Sequence, residues 1–186
     1  MRRLSIFVAL FAALTVPGVH RSRGEDKSEP KALRPILSLD GETSKSTKSR
    51  YHRVESTEAW ESLWAEHQTG MAKPKRSPRE GPRVEVDFKR CMVIAVFDGE
   101  MAIANGGFLV ESILERGDQF VFRVQGRYYQ TGVGHPNTTA WAVFVLPRTS
   151  KVIVIEENVQ RYQGKPPIWK QFAEMKPGDG SAPRRQ

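Results

Sequence analysis

The stretch most informative about function runs from Tyr128 to Asn137, after an alternating apolar segment. It combines two adjacent tyrosines, Tyr128 and Tyr129, with glycines and one histidine, His135. Tyrosine suits a protein-contact surface because its ring is large and rigid and its hydroxyl can form hydrogen bonds. The structural alternative is that the tyrosines end a strand, one buried and one exposed, while His135 bonds within its own loop. The expected contact residues are Phe108, Tyr128, Tyr129 and His135.

Residues that could catalyse a reaction show no arrangement typical of an enzyme. The single cysteine, Cys91, opens an apolar run, which predicts a buried and inert thiol. No Gly-x-Ser-x-Gly motif is present, and the four histidines are far apart in sequence, so we expect neither a metal site nor a cofactor. A hydrolase with paired carboxylates stays open as an alternative. Its candidate residues are Asp87, Asp98, Glu100 and Glu111.

A helix is predicted over about 56–69. Ser56 or Thr57 can cap its first turn, because a hydroxyl oxygen accepts a hydrogen bond from a free amide there. Large side chains then recur at three- and four-residue spacing, which predicts one buried stripe. The stripe consists of Trp60, Leu63, Trp64 and His67.

Apolar segments separated by turn residues predict a mainly antiparallel sheet or sandwich. The segments are Tyr51–Val54, Cys91–Phe97, Phe108–Glu115, Gln119–Gln125, Ala140–Leu146 and Lys151–Glu156. Only Pro147–Ser150 separates the last two, which predicts two strands joined by a short turn. Pro166 and Pro167 favour a short C-terminal helix over about 167–175, since proline is tolerated in a first helical turn. The predicted fold class is therefore α+β, with the sheet between two helices in sequence.

Two turns are predicted from residues that tolerate positive φ. The first is Asp98-Gly99, directly after the most apolar segment. The second and stronger one is Asn105-Gly106-Gly107, which we expect to form a hairpin turn and to set the register of the strand that follows. We interpret these five residues as structural.

The two ends of the chain differ in composition from its middle. A basic start and a short apolar run predict a cleaved signal peptide over 1–18, because a membrane span needs roughly 20 apolar residues. Residues 19–49 are basic and poor in apolar side chains, so we expect a disordered leader there and a disordered tail over 176–186. One domain over 50–175 lies between them. Export would place it in the periplasm or outside the cell, with no transmembrane span.

Charge and cysteine content limit the function further. The net charge is +8, but Lys and Arg do not alternate with aromatic residues on one element, so we expect no nucleic-acid partner. With one cysteine the chain cannot form an internal disulfide, and the fold must depend on its apolar core.

Several motifs occur in an order that resembles the PrcB C-terminal domain family. They are Val86-Asp87-Phe88, Cys91–Phe97, Gly99, Asn105-Gly106-Gly107-Phe108 and Trp141–Pro147. The resemblance covers about 84–157. Because the family is named for an accessory subunit of a secreted protease complex, the resemblance implies a non-catalytic, extracytoplasmic domain that binds a partner.

These observations give a leading hypothesis and two alternatives. The first is an exported accessory domain that binds or stabilises a secreted protein, with a protease as the favoured partner. The second is a surface receptor for a small molecule or polysaccharide that uses the same aromatic loop. The third is the carboxylate-dependent hydrolase.

Overall fold

The computed structural model describes residues 33–68, 84–130, 137–160 and 165–183. Within these ranges the chain forms one helix and two β-sheets that pack face to face, which confirms the prediction of a β-rich fold with one N-terminal helix. The elements are β1 (Leu37–Gly41), β2 (Arg50–Val54), α1 (Thr57–Gln68), β3 (Cys91–Phe97), β4 (Asn105–Arg116), β5 (Gln119–Tyr128), β6 (Trp141–Pro147), β7 (Val152–Asn158), β8 (Trp169–Met175) and β9 (Ser181–Pro183).

The first sheet has the strand order β1-β6-β3-β2-β9 and is antiparallel throughout. Its central strands β3 and β6 are apolar at almost every position because both of their faces are buried. Ile94 and Phe144 point into the core between the sheets, whereas Val93 and Val143 point toward α1. The continuous apolar runs in the sequence therefore belong to the middle of three layers, which lies between α1 and the second sheet.

Helix α1 covers the outer face of the first sheet with the predicted stripe. Ser56 caps it, since its Oγ accepts a hydrogen bond from the Ala59 amide at 3.2 Å. Trp60 is buried, and its indole Nε1 donates to the Val84 carbonyl at 3.0 Å. No helix among the described residues is long and apolar enough to cross a membrane.

The second sheet has the order β4-β5-β7-β8, and its β5–β7 pair is parallel. The strands flanking Pro147–Ser150 are joined by a short connection, as predicted, and this connection crosses from the first sheet, which contains β6, to the second, which contains β7. Arg53 of β2 fixes this crossing between sheets. Its fully buried guanidinium donates to the Thr149 carbonyl and, at 2.7 Å, to the Lys151 carbonyl.

The predicted C-terminal helix over 167–175 is wrong, because this segment forms strand β8. The apolar spacing that suggested a helix also fits a strand with a bulge, and a register shift lies opposite Phe172. Pairing with β7 satisfies the backbone of β8, whereas a helix this short is marginal by itself. Phe172 and Met175 of β8 are buried in the core between the sheets.

The boundaries of the domain, predicted at 50 and 175, are wrong at both ends. Strand β1 lies within the segment expected to be a disordered leader, and β9 lies within the expected tail. β1 pairs with β6, and β9 pairs with β2. An edge strand gains hydrogen bonds along one side and needs few apolar residues of its own, so composition alone did not reveal these two. The predicted signal peptide lies outside the described residues.

Candidate protein-contact surface

The predicted contact residues fall into three different environments. Tyr128 and Tyr129 lie at the end of β5, where 44% and 38% of each residue is exposed. Phe108 is only 2% exposed and belongs to the core between the sheets, so its predicted contact role is wrong. Phe108 pairs with Gly126 of β5, and its side chain points into the core. His135 lies outside the described residues.

The predicted turn at Asp98-Gly99 has the expected backbone. Gly99 has φ of 74°, and a Cβ at this position would lie 2.6 Å from the Ser49 amide nitrogen. Only glycine allows this close approach of the segment around Ser49 to the end of β3. The Asp98 side chain is buried, and its carboxylate accepts a hydrogen bond from the Asn105 Nδ2 at 2.9 Å.

The predicted hairpin turn at Asn105-Gly106-Gly107 is wrong, because these residues form the start of β4. The hairpin between β4 and β5 turns instead at Gly117, which has φ of 59°. The pairing shifts between Asn105 and Phe108, and the Asn105 Oδ1 accepts hydrogen bonds from the amides of Gly107 and Arg127, both at 3.1 Å. The asparagine side chain thus satisfies amides that the irregular ladder leaves open.

Gly107 allows the edges of the two sheets to meet. It has φ of 114°, and a Cβ there would overlap the Asp40 carboxylate of β1. The same carboxylate forms an ion pair with the Arg127 guanidinium, which also donates to the Gly106 carbonyl. Gly107 therefore allows β1 to pack against the second sheet instead of forming the predicted turn.

Both tyrosines are held in place by neighbouring groups. The Tyr128 ring lies over Gly126, whose hypothetical Cβ would be 2.7 Å from the ring. The pKa of Tyr129 is raised, first by partial desolvation and then by the charge and hydrogen bond of the Glu42 carboxylate. These contacts limit the rotation of both rings.

Most of the exposed large apolar side chains lie at this same end of the second sheet. It is formed by the start of β4, the ends of β5 and β7 and the start of β8. The residues are Ile103, Leu109, Tyr128, Tyr129, Val159 and Ile168. We call these six residues the tyrosine surface. Asp40, Glu42 and Arg127 lie beside the tyrosines, so charged groups border the two rings.

Two buried polar pairs were not predicted from the sequence. His67, surrounded by Trp64, Phe97 and Trp141, pairs through Nδ1 with the Ser44 Oγ at 3.0 Å. Burial lowers the His67 pKa to about 4, so the ring is neutral at pH 7. Ser44 also accepts a hydrogen bond from the Ser46 amide, and both Ser44 and His67 are buried. The pair therefore anchors the chain segment before β2 to α1 rather than meeting solvent.

The second pair lies between the sheets, where the Tyr51 hydroxyl donates a hydrogen bond to the Glu157 carboxylate. Glu157 is 5% exposed. The alternation of β7 could have revealed it, because Ile153 and Ile155 point inward and Glu157 takes the next inward position. The hydrogen bond joins β2 of the first sheet to β7 of the second.

The carboxylates predicted as hydrolase candidates do not form one cluster. Asp87 precedes β3 and Asp98 follows it, so the seven-residue strand separates them by roughly 20 Å. Glu100 accepts a hydrogen bond from the Asn137 side chain at 3.0 Å. Among the described residues, no three His, Cys, Asp or Glu side chains are placed to hold a metal ion.

The chain matches no family model, no curated protein and no solved structure. The resemblance to the PrcB C-terminal domain family therefore stays a prediction based on the motifs themselves.

Proposed function

We propose that the chain is an exported, non-catalytic accessory domain that binds an extracytoplasmic protein through the tyrosine surface, with a secreted protease as the favoured partner. The observation that carries this proposal is the exposure of Tyr128 and Tyr129, two held aromatic rings, among other exposed apolar side chains. The predicted signal peptide and the resemblance to an accessory-subunit family support the export and the partner class.

The chemistry of the tyrosine surface suits a protein better than a small ligand. Tyrosine is enriched at the centres of protein interfaces, where ring area and hydroxyl both contribute. The ion pair between Asp40 and Arg127 provides a charged border at the side of β1. The surface spans several strand ends instead of lining a closed pocket, as expected for contact with a broad partner.

The test is retention of a partner by the tagged full chain in its native host. A specific secreted protein should be retained, and its affinity for the purified domain should fall at least tenfold in the double variant Tyr128→Ser, Tyr129→Ser. Ile36→Ser with Leu37→Ser is the matched control, because these exposed apolar residues lie at the other end of β1. Equal affinity of the tyrosine variant and the wild type, or retention of nothing, would contradict the proposal.

A polysaccharide receptor is the second candidate, and one observation favours it. Trp169 of β8 pairs with Asn158 of β7, whose side-chain Nδ2 donates a hydrogen bond to the Gln125 Oε1 at 3.4 Å. An aromatic ring next to amides can stack on a sugar and bond its hydroxyls. A panel of glycans tested by thermal shift separates the candidates, since a ligand of the folded state raises the Tm. A Tm increase that Trp169→Ala abolishes and the double tyrosine variant keeps would favour the receptor.

A further inference from the structure

An apolar cavity opens between the sheets at the end opposite the tyrosine surface. Its volume is about 180 Å³. The walls come from both sheets and are made of Met92, Ile113, Phe120, Phe122, Leu146 and Ile153. A cavity with such walls is poorly suited to water, which needs several polar partners, and well suited to an apolar group.

The mouth of the cavity is cationic. Arg34 and Arg148 lie there beside Leu33 and Thr149, and no carboxylate is among the described lining residues. Arg148 is held by its Nη1, which donates to the Phe88 carbonyl at 2.6 Å and to the Glu55 carbonyl at 3.1 Å. Its planar guanidinium carries five N–H donors, so further donors are available for an anion.

Neighbouring charges do not cancel this cationic mouth. Glu55 forms its ion pair with the buried Arg53, and Glu115 forms one with Lys151. Arg53 also fixes the rim, because its guanidinium donates to the carbonyls of Thr149 and Lys151. The opening is thus formed before any ligand arrives, which lowers the entropic cost of binding.

We propose that this cavity binds a monocarboxylate with an aliphatic tail of about six to eight carbons. The tail fits between the sheets, because an apolar protein cavity of about 150 Å³ accommodates benzene, a six-carbon molecule. The carboxylate stays at the mouth, where Arg34 and Arg148 provide charge-assisted hydrogen bonds. This site is independent of the tyrosine surface and of the function proposed for it.

The first test is a chain-length series measured by calorimetry on the full chain at pH 7. Butanoate, hexanoate and octanoate should bind with an affinity that rises about fourfold per methylene, as expected for burial of each group. Decanoate should gain nothing more, because the cavity is then full. Hexanol should bind at least tenfold more weakly than hexanoate. Absence of binding at millimolar concentrations of these carboxylates, or an affinity independent of their chain length, would overturn the proposal.

The second test uses variants of the mouth and of the wall. Arg34→Gln should weaken hexanoate at least fivefold and leave hexanol unchanged, whereas the control Arg116→Gln, outside the cavity, should change neither. Leu146→Phe fills the cavity and should abolish binding of both. Because that variant could fail to fold, its Tm is measured in parallel, and Arg34→Gln decides the outcome if it does. If the Arg34→Gln variant binds hexanoate with the wild-type affinity, the proposed role of Arg34 in binding the carboxylate is wrong.

Discussion

The two sheets cover their outer faces by different means. On the first sheet, α1 places Trp60, Leu63 and Trp64 against strands β2, β3 and β6. On the second sheet, Val121 and Val154 point outward, yet both are buried. Long charged side chains lie on this face, and the nearest ion pair joins Arg123 to Glu156 at 2.7 Å.

The covering of the first sheet is therefore hydrophobic, whereas that of the second is electrostatic. Burial of aromatic rings contributes several kcal/mol and depends little on salt, whereas partly exposed ion pairs contribute about 0–1 kcal/mol and are screened. The first sheet should therefore depend on its helix. The second sheet should tolerate changes on its outer face.

The largest difference in the free energy of unfolding is expected when one tryptophan is removed from each covering. Trp60→Ala should lower the free energy of unfolding by about 3–5 kcal/mol, because a fully buried indole is lost. Trp169→Ala, on the outer face of the second sheet, should cost only about 1–2 kcal/mol, including its contact with the Arg123 guanidinium. Urea unfolding measures both. Equal losses would show that the second sheet depends on its outer face as strongly as the first.

Asn105→Ala tests the polar junction where the second sheet begins. The variant should lose about 2–4 kcal/mol, because two amides and the buried Asp98 carboxylate each lose a hydrogen bond. Thr139→Ala, which removes a single side-chain hydroxyl near the other covering, serves as the comparison. If both variants unfold at the same urea concentration, the junction does not carry the stability assigned to it.

Acid should weaken the first sheet selectively. Burial lowers the pKa of His52 and of His67 to about 4, from 6.5 in the unfolded chain, and the charge of Arg50 adds to the shift of His52. The unfolded state therefore binds more protons below pH 6.5, and stability should fall by about 2 kcal/mol per histidine between pH 6.5 and 5.

His52 and His67 both contact Phe97 on the helix side of the first sheet. Urea unfolding at several pH values should show this slope, and His67→Asn should reduce it by about half. An unchanged slope in His67→Asn would contradict the assignment.

The smallest effect is expected from the ion pair on the second sheet. Arg123→Ala should cost about 1 kcal/mol or less, and the cost should shrink in 1 M NaCl because salt screens the pair. Arg116→Ala is the matched control, since its guanidinium lies 3.9 Å from the same carboxylate and is 54% exposed. If the loss of stability does not depend on salt, Arg123 stabilises the sheet by packing over Val121 and Val154 rather than by its charge.

The sequence predicted the parts of the fold that local patterns determine. The stripe from Trp60 to His67 and the apolar run of β3 have the predicted bounds within one residue, because burial repeats with the period of each element. Strands β1 and β9 were missed because their order comes from pairing with residues far away in the chain.

The candidate site could be predicted only in part for the same reason. Tyr128 and Tyr129 were identified by residue type, but nothing local shows that Glu42 would approach Tyr129 or that Asp40 would lie against Gly107. The Asn-Gly-Gly signal was ambiguous because a turn and an irregular strand both need positive φ. Only the tertiary pairing decides between them.

The pairing of β2 with β9 has a consequence for biosynthesis. Residues 50–52 find their strand partners at 181–183, far away along the chain. A nascent chain on the ribosome therefore cannot complete the first sheet until residues 181–183 have been made. One edge of β2 stays open until then.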